Sequence, residues 1–163
     1  MKITLSKAIK EIKKLGEEID EELARERNLC ETTYRTPEEK IVYDYDFAKI
    51  RNSINEKTER IIKLKKAINI KNNETKIGVL DYTIADGLVL MPLLRKEIDY
   101  SLASMSRKEK LRSSVDSRNE GIVYTELLYD PTICRAYLEE KKELISRIQL
   151  GIDTANLNVY IEV

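Results

Sequence analysis

Leu5, Ile9, Ile12, Leu15, Ile19 and Leu23 recur three and four residues apart, and that spacing puts them on one face of an α-helix and on no single face of a strand. The spacing predicts an amphipathic helix from Ser6, read as its N-cap, to about Cys30. Gly16 is the weak point of the stripe, and on the polar face Glu21 precedes Arg25 by four residues in the favourable order. At ~1.5 Å per residue such a helix is roughly 35 Å long, more than a compact domain of this size needs. A coiled coil or an elongated bundle is therefore expected.

Further stripes complete the architecture. Thr36-Pro37-Glu38-Glu39 has the residue types of a capped helix start. Tyr43, Tyr45 and Phe47 then alternate with aspartates, a period that suits a strand equally well. From Phe47 the helical period returns through Ile50, Ile54, Ile61, Leu64 and Ile68, until Asn69, Asn72 and Asn73 suggest a polar connection. Thr83 with Asp86 marks a third start, and Ile84, Leu88, Met91, Ile98 and Leu102 share one face while Leu90 and Leu94 occupy another. That helix is expected to be buried against two neighbours, with Pro92 kinking it or marking its true beginning. Leu111 to Ser117 and Ile122 to Leu128, around Asn119-Glu120-Gly121, read as a β-hairpin insertion at about 110–129. Asp130-Pro131 caps a last helix with the stripe Ile133, Tyr137, Leu144, Ile148, Ile152 and Ala155, ending near Asn156. The expected fold is mainly α: about four long amphipathic helices in an elongated bundle with coiled-coil character and one small hairpin, forming a single domain over 1–163.

With 29 basic and 29 acidic residues, the chain has no net field to draw in extended nucleic acid or an anionic membrane, so any anion site must be local. No apolar run is long enough for a membrane span, and Met1-Lys-Ile-Thr-Leu-Ser lacks the core of a signal peptide, so a cytoplasmic protein is expected. Cys30 and Cys134 are far apart in sequence and read as reduced thiols. No histidine is present to activate either of them. Neither a Gly-rich phosphate loop nor a metal-ligand spacing occurs, so no cofactor or metal is implied.

The segment Ser104 to Asp116 concentrates anion-seeking side chains. Arg107, Lys108, Lys110 and Arg112, with hydroxyls from Ser106, Ser113 and Ser114, suit charge-assisted bonds to a phosphate or carboxylate. They suit equally a solvated connection whose cations favour a helix C-terminus. Asn69 and Asn72 fit either ligands or turn residues, and Tyr124 fits either a stacking platform or a packed edge.

Ile61 to Asn73, the Thr83 start, Ser106-Arg107 with Val115-Asp116, and Ile148 to Asn156 resemble, in order, a bacterial and phage family of small helical proteins of unknown function. Some of its members carry the label septicolysin-like. The pattern Ile-Asn-x-x-Asn before the third helix is matched by Ile68, Asn69 and Asn72, and a Ser-Arg-Ser-Glu-like run by Ser106, Arg107 and Glu109. Met91-Pro92 departs from an Arg-Asp pair in that family, and the hairpin around Gly121 is an insertion relative to it. The resemblance implies a helical architecture and no activity.

Three functions follow in order of preference. The first is a non-enzymatic homo-oligomer that binds a small anionic, nucleotide-like ligand through the basic Ser/Arg segment, by analogy of design with phage proteins that sequester nucleotide signals. The second is a coiled-coil scaffold or adaptor for a partner protein. The third is an enzyme, which ranks last because no nucleophile, base or metal context is visible.

Overall fold

The computed structural model describes residues 2–36, 39, 40, 42–116 and 121–163, without the side chains of Arg112, Val115 and Asp116. Its elements are β1 (Lys2–Thr4), α1 (Leu5–Leu29), α2 (Phe47–Glu74), α3 (Ile84–Glu97), a π-helical turn (Ile98–Leu102), α4 (Ala103–Met105), β2 (Leu111–Asp116), β3 (Gly121–Glu126), α5 (Pro131–Asn158) and β4 (Tyr160–Glu162). The protein is mainly helical with a small antiparallel hairpin, β2 against β3. The chain forms two compact units: Met1–Thr75 with Ala155–Val163, and Lys76–Thr154.

In the first unit the start of α1 is capped two residues ahead of the expected position. Thr4, not Ser6, is the cap, its hydroxyl accepting the Lys7 N–H at 3.3 Å. The chain arrives at Thr4 in a strand that the helical stripe does not announce, since β1 pairs antiparallel with β4 and matches Lys2 to Glu162, Ile3 to Ile161 and Thr4 to Tyr160. Ile3 and Ile161 are buried beside Leu5, Ala8, Leu64, Ile68 and Ala155, which form the apolar core of this unit.

Along the rest of α1 polar side chains tie it to α2, beside the half-buried Ile12, Leu15 and Ile19. Arg60 Nε donates to Glu11 at 2.8 Å, Lys57 Nζ and Ser53 Oγ donate to the same Glu22 oxygen at 2.8 Å, and Arg51 pairs with Glu26. Partner numbers rise on one helix as they fall on the other, so the two helices run antiparallel. The Lys57 ammonium, and then the Ser53 hydroxyl, hold the Glu22 carboxyl below its ordinary range. A depressed carboxylate stabilises the fold above its unfolded pKa, and that contribution is lost as pH falls through the lower folded value. Gly16 lies on α1 where an added Cβ would meet nothing within 4 Å. Gly16→Ala is therefore expected to stabilise the protein by about 0.7 kcal/mol through backbone entropy alone, read as a higher thermal midpoint.

The described residues after Thr36 do not continue the helix predicted to start there. Pro37, Glu38 and Ile41 lie outside the described residues, while Glu39, Lys40 and residues 42–46 are neither helix nor strand. The reason is that no apolar stripe follows the capping pattern until Phe47. The working cap is Asp46, whose carboxylate accepts the Lys49 N–H at 3.0 Å. Asn69, Asn72 and Asn73 do not end α2. All three are inside it, and Asn73 Nδ2 donates to the Asn69 carbonyl at 2.7 Å.

The second unit opens with a tight reversal. Tyr82 N–H donates to the Val79 carbonyl at 2.9 Å, and Leu80 and Asp81 both adopt positive φ, 46° and 62°. Thr83 then caps α3 as predicted, its hydroxyl accepting the Asp86 N–H while the Asp86 carboxylate accepts the Thr83 N–H. These bonds from Thr83 hold the Asp86 carboxyl below its ordinary range.

Pro92 sits inside α3, whose beginning is Ile84. The helix buries one face only: Ile84, Gly87, Met91 and Leu94 are inside, while Leu88, Val89 and Leu93 are exposed. The expectation of two packed faces is thus corrected. On α5 the predicted stripe is out of phase at its start. Cys134 and Leu138 are buried, whereas Ile133 is 70% exposed and Tyr137 is 39% exposed. From Ile148 onward, stripe and burial agree.

Candidate functional site

The segment singled out by its charge is built by an interruption in helical winding. α3 passes into the π-helical turn, α4 adds one further turn, and the Ser106, Arg107 and Lys108 N–H groups then bond to the carbonyls of Leu102, Ser104 and Met105. Wide turns of this kind recur at functional sites because they shift the side chains that follow. Leu102 is buried with Cys134 and Leu138 of α5, and Ile98, Met105 and Tyr129 pack against that cluster. The Tyr129 hydroxyl donates to the Met105 carbonyl at 2.9 Å, and burial pushes its pKa up. Asp130 accepts the Thr132 N–H at 2.8 Å, which fixes the start of α5 and lowers the Asp130 carboxyl. The end of α4 and the first three turns of α5 are therefore mutually anchored.

Between them lies an open groove of about 580 Å3, lined by Ala103, Ser106, Arg107, Arg135, Leu138, Glu139 and Lys142. Arg135, Leu138, Glu139 and Lys142 fall at i, i+3, i+4 and i+7 of α5 and so share one helical face. Three cations face one carboxylate, and Glu139 is already paired with Lys142 at 2.7 Å, both exposed. Ser106 is buried and its hydroxyl donates to the Ala103 carbonyl at 3.2 Å, which leaves its oxygen lone pairs as acceptors. The groove thus offers two guanidinium groups and an ammonium against a floor of Leu138 and Ala103. Such a surface can hold a phosphate or carboxylate by charge-assisted bonds.

The structure brings together two of the residues expected from sequence, Ser106 and Arg107. Lys108 and Lys110 are exposed and do not line the groove. Ser114 is exposed on β2, and Tyr124, 64% exposed on β3, stands across from Ser113. The Arg112 side chain lies outside the described residues. Asn69 and Asn72 belong to the first unit, whereas the groove belongs to the second. Sequence reasoning missed Arg135 and Lys142. Their only signal is a seven-residue spacing of cations on a helix.

A second cavity, of about 300 Å3 in the first unit, is lined by residues including Glu22, Arg25, Glu26, Asp44, Asp46 and Lys49. Glu26 there is paired with Arg51 and Tyr45, and Glu22 takes Lys57 and Ser53 on one oxygen, Oε1, while its Oε2 and the Arg51 Nε are buried without a hydrogen-bond partner among the described residues. Among the described residues no cluster of His, Cys, Asp or Glu could hold a metal ion.

The chain matches no family model. No curated protein is similar to it. A solved structure, a functionally unknown conserved protein from Corynebacterium diphtheriae, is similar to it in fold, with a TM-score of 0.65 at 15% identity over 99% of this chain and 100% of that one. The mainly helical architecture with its small hairpin is therefore an established fold.

Proposed function

We propose that this chain is a non-enzymatic, self-associating protein of the cytoplasm that binds a small anionic, nucleotide-like ligand in the groove of Arg107, Arg135 and Lys142. One observation carries the reading: cations from two separate segments meet around a single groove, in a chain whose overall charge is balanced. A solvated connection would account for Arg107 alone. It would not account for two further cations facing it from a helix anchored to the same turn. Leu138 and Ala103 supply apolar surface for a base or sugar, and the arginines supply bidentate donors for a phosphate.

Self-association is supported by the apolar surface of α3 and the π-helical turn after it, where Leu88, Val89 and Leu93 and then Tyr100 are all exposed, Tyr100 at 82%. The same surface favours the second reading, an adaptor that docks a partner helix. Among the described residues no helix is long and apolar enough to cross a membrane.

Mass spectrometry of the denatured, freshly purified protein is expected to release an anionic small molecule. Arg107→Ala and Arg135→Ala are each expected to weaken its rebinding by about 2 kcal/mol, since charge-assisted hydrogen bonds are lost, while the protein stays folded. A change within about 0.5 kcal/mol, the usual effect of an unremarkable surface substitution, would assign both residues to solvent instead.

A further inference from the structure

The hairpin is a two-stranded sheet that pairs only with itself. Among the described residues β2 and β3 have no third strand beside them. A lone hairpin is marginal in water, and three or more strands sharing an apolar face are far more stable. This one carries such a face, unused. Leu111, Ser113 and Val115 of β2 stand across from Glu126, Tyr124 and Ile122 of β3. Of these, Leu111 is 58% exposed, Ile122 61% and Tyr124 64%.

The pattern of charge selects which edge is completed and by what. In an antiparallel strand alternate residues direct their N–H and C=O groups to the two sides, so only residues of like parity can oppose one another on the open edge. When a strand pairs with its own copy, the two-fold axis must therefore pass through a residue. For Leu111–Asp116 the central choices are Ser113 and Ser114. A dyad at Ser113 sets Lys110 across from Asp116 of the second copy, and a dyad at Ser114 sets Arg112 across from Asp116. Within residues 110–116 either register opposes unlike charges, and neither opposes like ones. The β3 edge offers no such match, since Gly121–Glu126 contains an acid and no base.

We infer that the hairpin is an association arm. The β2 edge pairs antiparallel with the β2 edge of a second copy about Ser113 or Ser114, giving a four-stranded sheet in the order β3, β2, β2, β3. That arrangement lays Leu111, Ile122 and Tyr124 of both copies on one continuous face and satisfies the open backbone groups of β2. The inference rests on the self-association half of the proposed function and is independent of the ligand.

Single cysteines introduced in a Cys30→Ser background test it on the full chain. Ser113 and Ser114 are both exposed, so neither replacement disturbs a packed site. Under mild oxidation Ser113→Cys or Ser114→Cys, whichever lies at the dyad, is expected to give a covalent dimer in high yield, with Thr125→Cys on β3 giving at least tenfold less. Asp116→Lys is expected to raise the dimer dissociation constant at least tenfold, and adding Lys110→Asp and Arg112→Asp is expected to restore it. Light scattering on the untreated protein separates the two ways of failing. A dimer that crosslinks at neither serine, or equally at Thr125, overturns the arm and leaves self-association standing. A strict monomer at micromolar concentration overturns both.

Discussion

Gly151→Ala is expected to destabilise the second unit by about 3 kcal/mol, a large fraction of what holds a domain of this size folded. A Cβ at Gly151 would lie 2.5 Å from the Ile77 carbonyl oxygen and 2.9 Å from the Ile77 Cβ. The obstruction is backbone, which cannot rotate aside as a side chain can. Ile77 is itself tied down, because its N–H donates to the Tyr82 carbonyl at 2.9 Å across the reversal that precedes α3. The gain of up to about 1 kcal/mol that alanine brings to a helix interior is too small to offset the clash. Gly87 provides the comparison within the same core. A Cβ there meets side-chain atoms first, the Ile148 Cγ2 at 2.9 Å and the Cδ1 atoms of Ile152 and Ile77 at 3.1 Å; the two Cδ1 ends can shift, whereas the Ile148 methyl sits on a stiff β-branched carbon and moves only with its side chain. Gly87→Ala is therefore expected to cost less than Gly151→Ala. Urea denaturation of the two variants measures the difference, and equal midpoints would mean that α5 does not approach Ile77 as described.

In the first unit the largest loss is expected from Leu64→Ala. Leu64 is fully buried on α2, and truncation removes its transfer energy and leaves a cavity, together about 3 kcal/mol. Ile62, two residues earlier on the same helix, is 46% exposed. Ile62→Ala is expected to cost well below the Leu64 loss, because about half of the side chain already meets water and no enclosed cavity is left. A loss at Leu64 no larger than that at Ile62 would contradict the assignment of the α2 face.

The helical architecture was legible because its signals are local. Stripes at three and four residues, the Thr83-Asp86 box and the Asp130-Pro131 start each depend on neighbours in sequence, and each marks a helix of the structure. The failures have a common cause. Thr36-Pro37-Glu38-Glu39 has the right residues for a cap but no apolar face behind it, so Asp46 caps α2 in its place. β1 and β4 are three residues long, too short for a period to show, and exist only by pairing with each other. On α5 the choice between Ile133 and Cys134 as the inward residue is made by the cluster around Leu102, which lies 30 or so residues back in the chain. Only one side of the groove was legible, for the same reason. Ser106 and Arg107 stand out in a run of polar residues, whereas Arg135 and Lys142 are ordinary helix-surface cations until folding sets them opposite Arg107.

The central claim is that this opposition of cations is a binding site. Isothermal titration of the intact protein against mono-, di- and cyclic nucleotides tests it most directly, with the Arg107→Ala, Arg135→Ala double variant as reference. The expected result is saturable binding of at least one of them, weakened by added salt and lost in the double variant while its helical content is unchanged. Binding of none, by a protein that also releases no anion on denaturation, would contradict the claim and leave the exposed face of α3 as the working surface.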